Sequence, residues 1–349
     1  DATSHSGSID GVFVNRLLDL LAIGKPSPNM QAKTLCPTLL YHLVKGKFDM
    51  IQCFPALNYN NILAFIAAKI MKKPFILCFF DFIDYAGVIK DKGGIDPNIL
   101  SSVKPPFYQR YILRKMDYAY AIANKEIEFL KRFNPNVEYS PVPILLQEYD
   151  IELTDPRKAM NINEDDFLFL CLGRVSQVKG QDIVLKAFVK LTKDYPSAKL
   201  IFVGRTDYEP EFYNDLLSVV INNNLEDRVI FTGMLDRKDV LSWLKYSDIH
   251  VIPVRFMNSG AVVVESWVSG TPVIQSDVVD PNLVIEGVNG YVFKSEDSHD
   301  CAQKMEKSIL EKMNLSDLAD QGKQIVLEKY TYEYLIDLYQ KTYIKLSNP

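Results

Sequence analysis

Four histidines and five cysteines are few for 349 residues, and neither type clusters. The cysteines (Cys36, Cys53, Cys78, Cys171 and Cys301) show no CxxC pair and no metal-type spacing, and the histidines form no ligand set. A metal centre and a disulfide framework therefore find no support. Cys78 and Cys171 fall inside strand-like apolar runs, where cysteine behaves as a small buried hydrophobe, as in a reducing cytosol. The longest apolar region, 62–80, is broken by Lys69, Lys72, Lys73 and Pro74, so it does not read as a membrane span. No signal-peptide pattern, short-period repeat or low-complexity tract is present, and a cytoplasmic protein is expected. Excess positive charge is missing too. A formal net charge of -5 gives no reason to expect nucleic acid as a partner.

What is there suits two globular domains, since one core rarely serves a chain of this length. Hydrophobic content of 48% and charged content of 24% fit that class. Charge is unevenly spread. Residues 1–150 carry 17 Lys and Arg against 14 Asp and Glu, about +3, and the remainder carries 22 against 30, about -8. The basic half suits an anionic surface, or is simply unevenly charged.

Short apolar runs recur at 50–54, 75–80, 118–123, 167–172, 199–203, 229–231, 249–254 and 273–275. Helix-period segments separate most of them, at 61–71, 108–115, 125–133, 182–191, 211–222 and 238–246. Alternating strands and helices predict an α/β fold with parallel sheets. The pattern pauses at 141–158, rich in Pro, Gln, Glu and Asp, which places a junction between a domain of 1–150 and one of 151–330. Each half restarts the series, which implies two Rossmann-like domains facing a cleft. At the start, residues 4–10 read as a loop leading into a helix at 12–22, with no strand before them. Residues 23–47 are short of strand-like material. Either native residues precede Asp1 or the first domain is abbreviated.

The segment 253–274, PVRFMNSGAVVVESWVSGTPVI, reads as strand end, polar loop, short helix and new strand. Asn258 and Ser259 are good N-caps, Gly260 lets a ligand approach the backbone, and Gly270-Thr271-Pro272 ends the helix. The helix is apolar nearly all round, so it should be buried, with Glu265 a lone carboxylate in its middle. A free helix N-terminus attracts anions, and a buried carboxylate requires a partner. Together they predict a ligand bearing phosphate and hydroxyls. Upstream, Gly173-Arg174-Val175-Ser176-Gln177-Val178-Lys179-Gly180 follows the strand at 167–172 and precedes a helix. In doubly wound folds ligands bind at the carboxyl ends of strands, and Arg174 and Lys179 offer donors suited to a diphosphate. The same run also occurs as a tight turn with two solvated cations.

The second half resembles the retaining glycosyltransferases of family 4, which have the GT-B fold. The signatures stand in order: GRVSQVKGQDIVLKAF, LIFVG, VIFTGMLDRKDVLSWLKYSDIHVIPV, SGAVVVESWVSGTPVI and EGVNGYVF. The first half matches through FDMIQCF, KPFILCFFD and ILRKMDYAYAIANKEIEFL, and the tail YTYEYLIDLYQKTY resembles the final helix, 331–349, that crosses back to the first domain. The resemblance implies a nucleoside-diphosphate sugar as donor and no separate cofactor or metal. Arg174 and Lys179 should hold the diphosphate, and Glu265 the ribose hydroxyls. Backbone N–H groups near Ser259, Gly260 and Ala261 should take the distal phosphate. Gly233, Met234 and Leu235 should lie near the nucleobase, and Ser6-Gly7 corresponds to the glycine-rich loop of the acceptor domain. Two positions depart from the pattern. Met257 stands where the first of the family's paired glutamates would touch the donor sugar, and a thioether cannot accept as a carboxylate does. Phe80 precedes Asp81 where the family often has histidine.

Two further features remain open. Asp81 and Asp84 suit an acceptor hydroxyl or a metal, or merely a capped strand end. Phe107, Tyr108, Arg110, Tyr111, Arg114 and Lys115 make a basic, aromatic helix that suits peripheral contact with a membrane carrying a lipid-linked acceptor, or a partly buried helix with solvated charges. The reading is a retaining sugar transfer to a glycan or lipid acceptor hydroxyl. Its alternatives are a degenerate nucleotide-sugar-binding subunit supporting an active partner subunit, and a GT-B sugar-nucleotide epimerase.

Overall fold

The structure is a computed structural model that describes residues 6–9, 12–15, 21–22, 34–46, 48–54, 58–79, 104–255, 260–280 and 283–347. It divides into two compact units, Asp1–Ser140 with Asp337–Pro349, and Pro141–Ile336.

The first unit opens with two short antiparallel pairs, β1 (Ser6–Ile9) with β2 (Val12–Asn15), and β3 (Leu21–Ala22) with β4 (Thr34–Leu35). The expected loop into a helix at 12–22 is therefore corrected. Val12, Phe13 and Val14 are β-branched and aromatic, and Ile9 pairs with Val12 around the dipeptide Asp10-Gly11, a strong hairpin signal. Then follow α1 (Leu39–Lys45), β5 (Ile51–Cys53), α2 (Tyr59–Met71), β6 (Phe75–Phe79), α3 (Phe107–Lys115), β7 (Tyr118–Ala121), α4 (Asn124–Lys131) and β8 (Val137–Tyr139). Strands β5 to β8 form a four-stranded parallel sheet in that order. Asn58 caps α2 with a reciprocal capping box to Asn61. β6 is buried along its whole length, as expected for a parallel strand covered on both faces.

The second unit contains β9 (Phe167–Leu172), α5 (Gln181–Leu191), β10 (Ala198–Val203), α6 (Pro210–Asn222), β11 (Val229–Gly233), α7 (Arg237–Tyr246), β12 (Ile249–Ile252), α8 (Ala261–Val268), β13 (Val273–Ser276), β14 (Tyr291–Phe293), α9 (Ser298–Leu310) and α10 (Leu315–Lys329). Its sheet is parallel, in the order β11-β10-β9-β12-β13-β14. The period of two along β9 sorts its side chains. Phe167, Phe169 and Cys171 join the core with α5 and α6, while Leu168 and Leu170 pack with Leu241, Trp243 and Leu244 of α7. The last helix, α11 (Tyr332–Ser347), ends in the first unit, where Leu338, Tyr339, Tyr343 and Leu346 pack on Ile76, Cys78 and Tyr120. All five cysteines are buried and no disulfide joins them. Among the described residues, no helix is long and apolar enough to cross a membrane.

Candidate functional site

The strand order of the second unit creates a switch point. From β9 the chain moves outward to β10, and from β12 it moves the opposite way to β13, although β9 and β12 are neighbours. The loops leaving these two carboxyl ends part, and such a crevice is where open α/β sheets bind ligands. The loop after β9 is 173–180. The loop after β12 starts at Pro253, and Gly260 heads α8.

The two loops are stitched together. Gly180 has φ +71° and sits against the Pro253 carbonyl, so a Cβ there would clash with backbone. The backbone N–H of Arg255 donates to Val178 O at 3.0 Å, and its guanidinium donates to Gln177 O at 2.7 Å. The same guanidinium makes a forked contact with Asp182, 2.7 Å to Oδ1 and 2.9 Å to Oδ2, and its Nε bonds Glu296. Burial would raise the Asp182 pKa, but the bonds from Arg255 and Lys186 outweigh it and hold the carboxyl below its usual range. Gln181 completes the loop by accepting from Ser176 N–H and donating to Arg174 O.

This frame presents the two expected cations. Arg174 is exposed, its guanidinium 4.3 Å from the centre of the Tyr208 ring. Lys179 is half-buried, and burial, then the Arg174 charge, push its pKa down. Among the described residues neither makes an ion pair with a carboxylate, and the Ser176 hydroxyl between them in sequence is buried without a hydrogen-bond partner. Two like charges beside an unpaired hydroxyl make an environment that an anion would stabilise.

Gly260 is the N-cap of α8, with φ +73°, and a Cβ would run into Leu283. The cap is thus glycine; Asn258 and Ser259, expected there, lie outside the described residues, as does Met257. Val263 and Val264 N–H donate to Gly260 O, so the N–H groups without an acceptor within the helix are those of Ala261 and Val262. The expectation for the rest of α8 is corrected. Only Val263, Val264, Ser266 and Trp267 are buried, and Glu265 is half-buried rather than enclosed. Nor is it a lone carboxylate, because Arg237 Nη2 lies 2.9 Å from its Oε1 and donates to the Tyr149 hydroxyl at 2.7 Å. The reason is topological: in this parallel sheet α7 follows β11 and α8 follows β12, so both helices start at the carboxyl edge and the first residue of α7 reaches the side of α8.

The loop after β11 splits the expected nucleobase contacts. Met234 is exposed, whereas Leu235 packs with the cluster around Trp243. Phe80, Asp81 and Asp84 fall outside the described residues. Gly7 lies in β1 opposite Val14, in a hairpin and not in a loop before a helix.

Sequence reasoning missed His250. It is buried in β12, accepts from Leu172 N–H at 3.2 Å through Nε2, and meets Ser266 Oγ at 2.7 Å through Nδ1. The Ser266 hydroxyl donates onward to Val262 O. That proton is committed, so His250 Nδ1 must carry the hydrogen of its bond and Nε2 must accept. Burial pushes the imidazole down to about 3, which keeps it neutral. The bond network ties the end of β9, the middle of β12 and α8 into one rigid support. Its signal in sequence was a polar residue inside an apolar strand. Among the described residues no group of three or more His, Cys, Asp or Glu side chains is placed to hold a metal ion.

Comparison with known proteins agrees with this layout. Residues 154–325 match the family described as glycosyl transferases group 1. N-acetyl-alpha-D-glucosaminyl L-malate synthase of Bacillus anthracis is 24% identical over 254 residues, covering 72% of this chain and 64% of that protein. Alpha-monoglucosyldiacylglycerol synthase of Streptococcus pneumoniae is 28% identical over 191 residues, 53% of this chain and 42% of that protein. The chain thus spans less than two thirds of the length of these curated relatives. Among solved structures, Anabaena Alr3699/HepE in complex with UDP superposes with a TM-score of 0.70 at 17% identity, covering 90% of this chain and 83% of that one. A glycosyltransferase from Rickettsia africae gives 0.72 at 15% identity, with 94% and 85% covered. Residues 154–325 match the glycosyl transferases group 1 family, and the chain resembles the family 4-like glycosyltransferases of GT-B fold.

Proposed function

We propose that this chain transfers a sugar from a nucleoside-diphosphate donor to an acceptor hydroxyl with retention, in glycan or glycolipid assembly. The observation that carries this reading is the pair Arg174 and Lys179, cations without counter-ions among the described residues, at the switch point of the second unit. A diphosphate supplies the missing negative charge. As the bond from the sugar C1 to the diphosphate breaks, charge develops on the leaving phosphate. Preorganised cations and the N–H groups at the start of α8 stabilise that charge more than the ground state. The bond from the acceptor oxygen to C1 forms on the same face, and the acceptor proton passes to the departing phosphate. Glu265 holds the ribose hydroxyls with the oxygen that Arg237 leaves open, and Met234 lies against the base. Asp81 and Gly7 contribute from the acceptor side. No metal or separate cofactor belongs to this scheme.

Related solved structures hold UDP and UDP-glucose, so these are the first ligands to use. Calorimetry should show binding of UDP, and a radiolabelled donor should lose its sugar to a glycan or lipid acceptor pool. UDP binding without transfer or hydrolysis would favour the second reading, a nucleotide-sugar-binding subunit that supports an active partner. Met257, in place of a sugar-contacting carboxylate, favours that alternative. Conversion of the donor sugar without an acceptor would indicate epimerisation instead.

A further inference from the structure

The basic, aromatic helix has no part in the nucleotide site, yet it lines a cavity of about 520 Å³ in the first unit. Its exposed stripe is Phe107, Arg110, Tyr111 and Arg114, at spacings i, i+3, i+4 and i+7, while Gln109, Ile112 and Leu113 are buried on the other side. Across the cavity stands α2, with Ile62, Ile66, Lys69 and Ile70 on one stripe and Ala64, Phe65, Ala67 and Ala68 buried behind them. The outward residues are those normally found inside. Phe107 is 78% exposed, Tyr111 58%, Ile70 59% and Ile66 40%.

Charge on this face has one sign. Residues 59–73 carry Lys69, Lys72 and Lys73, residues 104–116 carry Lys104, Arg110, Arg114 and Lys115, and neither segment has an Asp or Glu, in a chain of net charge -5. Lys69 reaches Asp117 at 3.7 Å and Lys73 reaches Asp49 at 3.3 Å. The other five make no ion pair among the described residues. Cations interleaved with exposed aromatic and aliphatic groups on one face match the headgroup layer of an anionic bilayer. The rings enter the acyl boundary, and the long arginine and lysine stems keep their charges at the phosphates.

From this we infer that the face formed by α2 and α3 docks the protein on an anionic membrane surface, with Phe107 and Tyr111 inserted and Arg110, Arg114, Lys115 and Lys72 on lipid phosphates. The inference does not depend on sugar transfer. It is tested by flotation of the full chain with phosphatidylcholine vesicles, with and without about 30 mol% phosphatidylglycerol, at about 0.05 M and about 0.5 M salt. Binding should require the anionic lipid and collapse at high salt. Arg110→Ala with Arg114→Ala should lower partitioning about 25-fold, about fivefold per cation. Phe107→Ala with Tyr111→Ala should lower it about tenfold or more. Far-UV circular dichroism and UDP binding should stay unchanged in both variants. Binding indifferent to phosphatidylglycerol or salt, or no binding by the unmodified chain, overturns the proposal. So does a concentration-dependent dimer that Phe107→Glu dissolves, which would identify a second copy as the occupant. If a double variant fails to fold, the lipid and salt dependence of the unmodified chain decides.

Discussion

Arg237 holds Glu265 from one side: its Nη2 lies 2.9 Å from Glu265 Oε1, and the Tyr149 hydroxyl accepts from the same nitrogen. The proposed ribose-binding carboxylate is therefore oriented before any ligand arrives. Pre-orientation lowers the ordering cost of binding. Arg237→Ala should weaken UDP binding by about three- to tenfold in calorimetry, while stability changes by less than about 1 kcal/mol, as usual for a half-exposed pair. Unchanged affinity would detach Arg237 from the site.

Glu265→Ala removes the group assigned to the ribose. We expect about a tenfold loss for UDP, or about 1.4 kcal/mol, and almost none for deoxy-UDP. Equal losses for both nucleotides would contradict the ribose assignment.

Arg174→Ala and Lys179→Ala should each weaken UDP about 10- to 100-fold, with a smaller effect on uridine, which has no diphosphate. The salt dependence of UDP binding should also flatten. If uridine and UDP suffer alike, the cations act through the fold.

Lys179 gives a pH signature. Its pKa is lowered in the free protein, so it loses its proton at a lower pH than an ordinary lysine. A bound diphosphate favours the charged form. UDP affinity should therefore be full below that lowered pKa and decline as pH rises through it. Lys179→Arg should move the decline to higher pH, because a guanidinium stays charged. A flat alkaline profile in the unmodified protein would refute the assignment.

His250 should make stability acid-sensitive. In the folded state its pKa falls from 6.5 to about 3, so between those values the unfolded chain binds a proton that the folded chain refuses. Stability is then lost as pH falls through this window, by up to about 1.4 kcal/mol per pH unit. Denaturation of His250→Phe across the same window should lack that slope. It should also show a drop of about 2 kcal/mol at neutral pH, from the unpaired Leu172 N–H and the lost bond to Ser266 Oγ. Equal slopes in both proteins would assign the acid sensitivity elsewhere.

The second unit was legible because both faces of its sheet are covered, which makes its central strands continuous apolar runs between helices of clear period. β9 was placed to the residue. Three-residue strands such as β8 and β14 carry too little pattern to read. In the first hairpin, the loop and helix expected over 4–22 left the Asp10-Gly11 signal unread. Positions of the cations followed from strand ends alone. The contacts that hold the site did not. Arg237 meets Glu265, and Arg255 meets Asp182, only because β12 returns beside β9 after the chain has gone out to β11. No local spacing records that return. Nor could the sequence show that Glu265 already had a cationic partner.

The closing helix of the first unit has a consequence for biogenesis. Its core around Ile76, Cys78 and Tyr120 needs Tyr339 and Tyr343, which are translated after every residue of the second unit. Domains generally fold as they emerge, the amino-terminal one first. Here the unit whose synthesis starts before that of the second is completed after it, and its core lacks an apolar cover until Tyr339 and Tyr343 emerge.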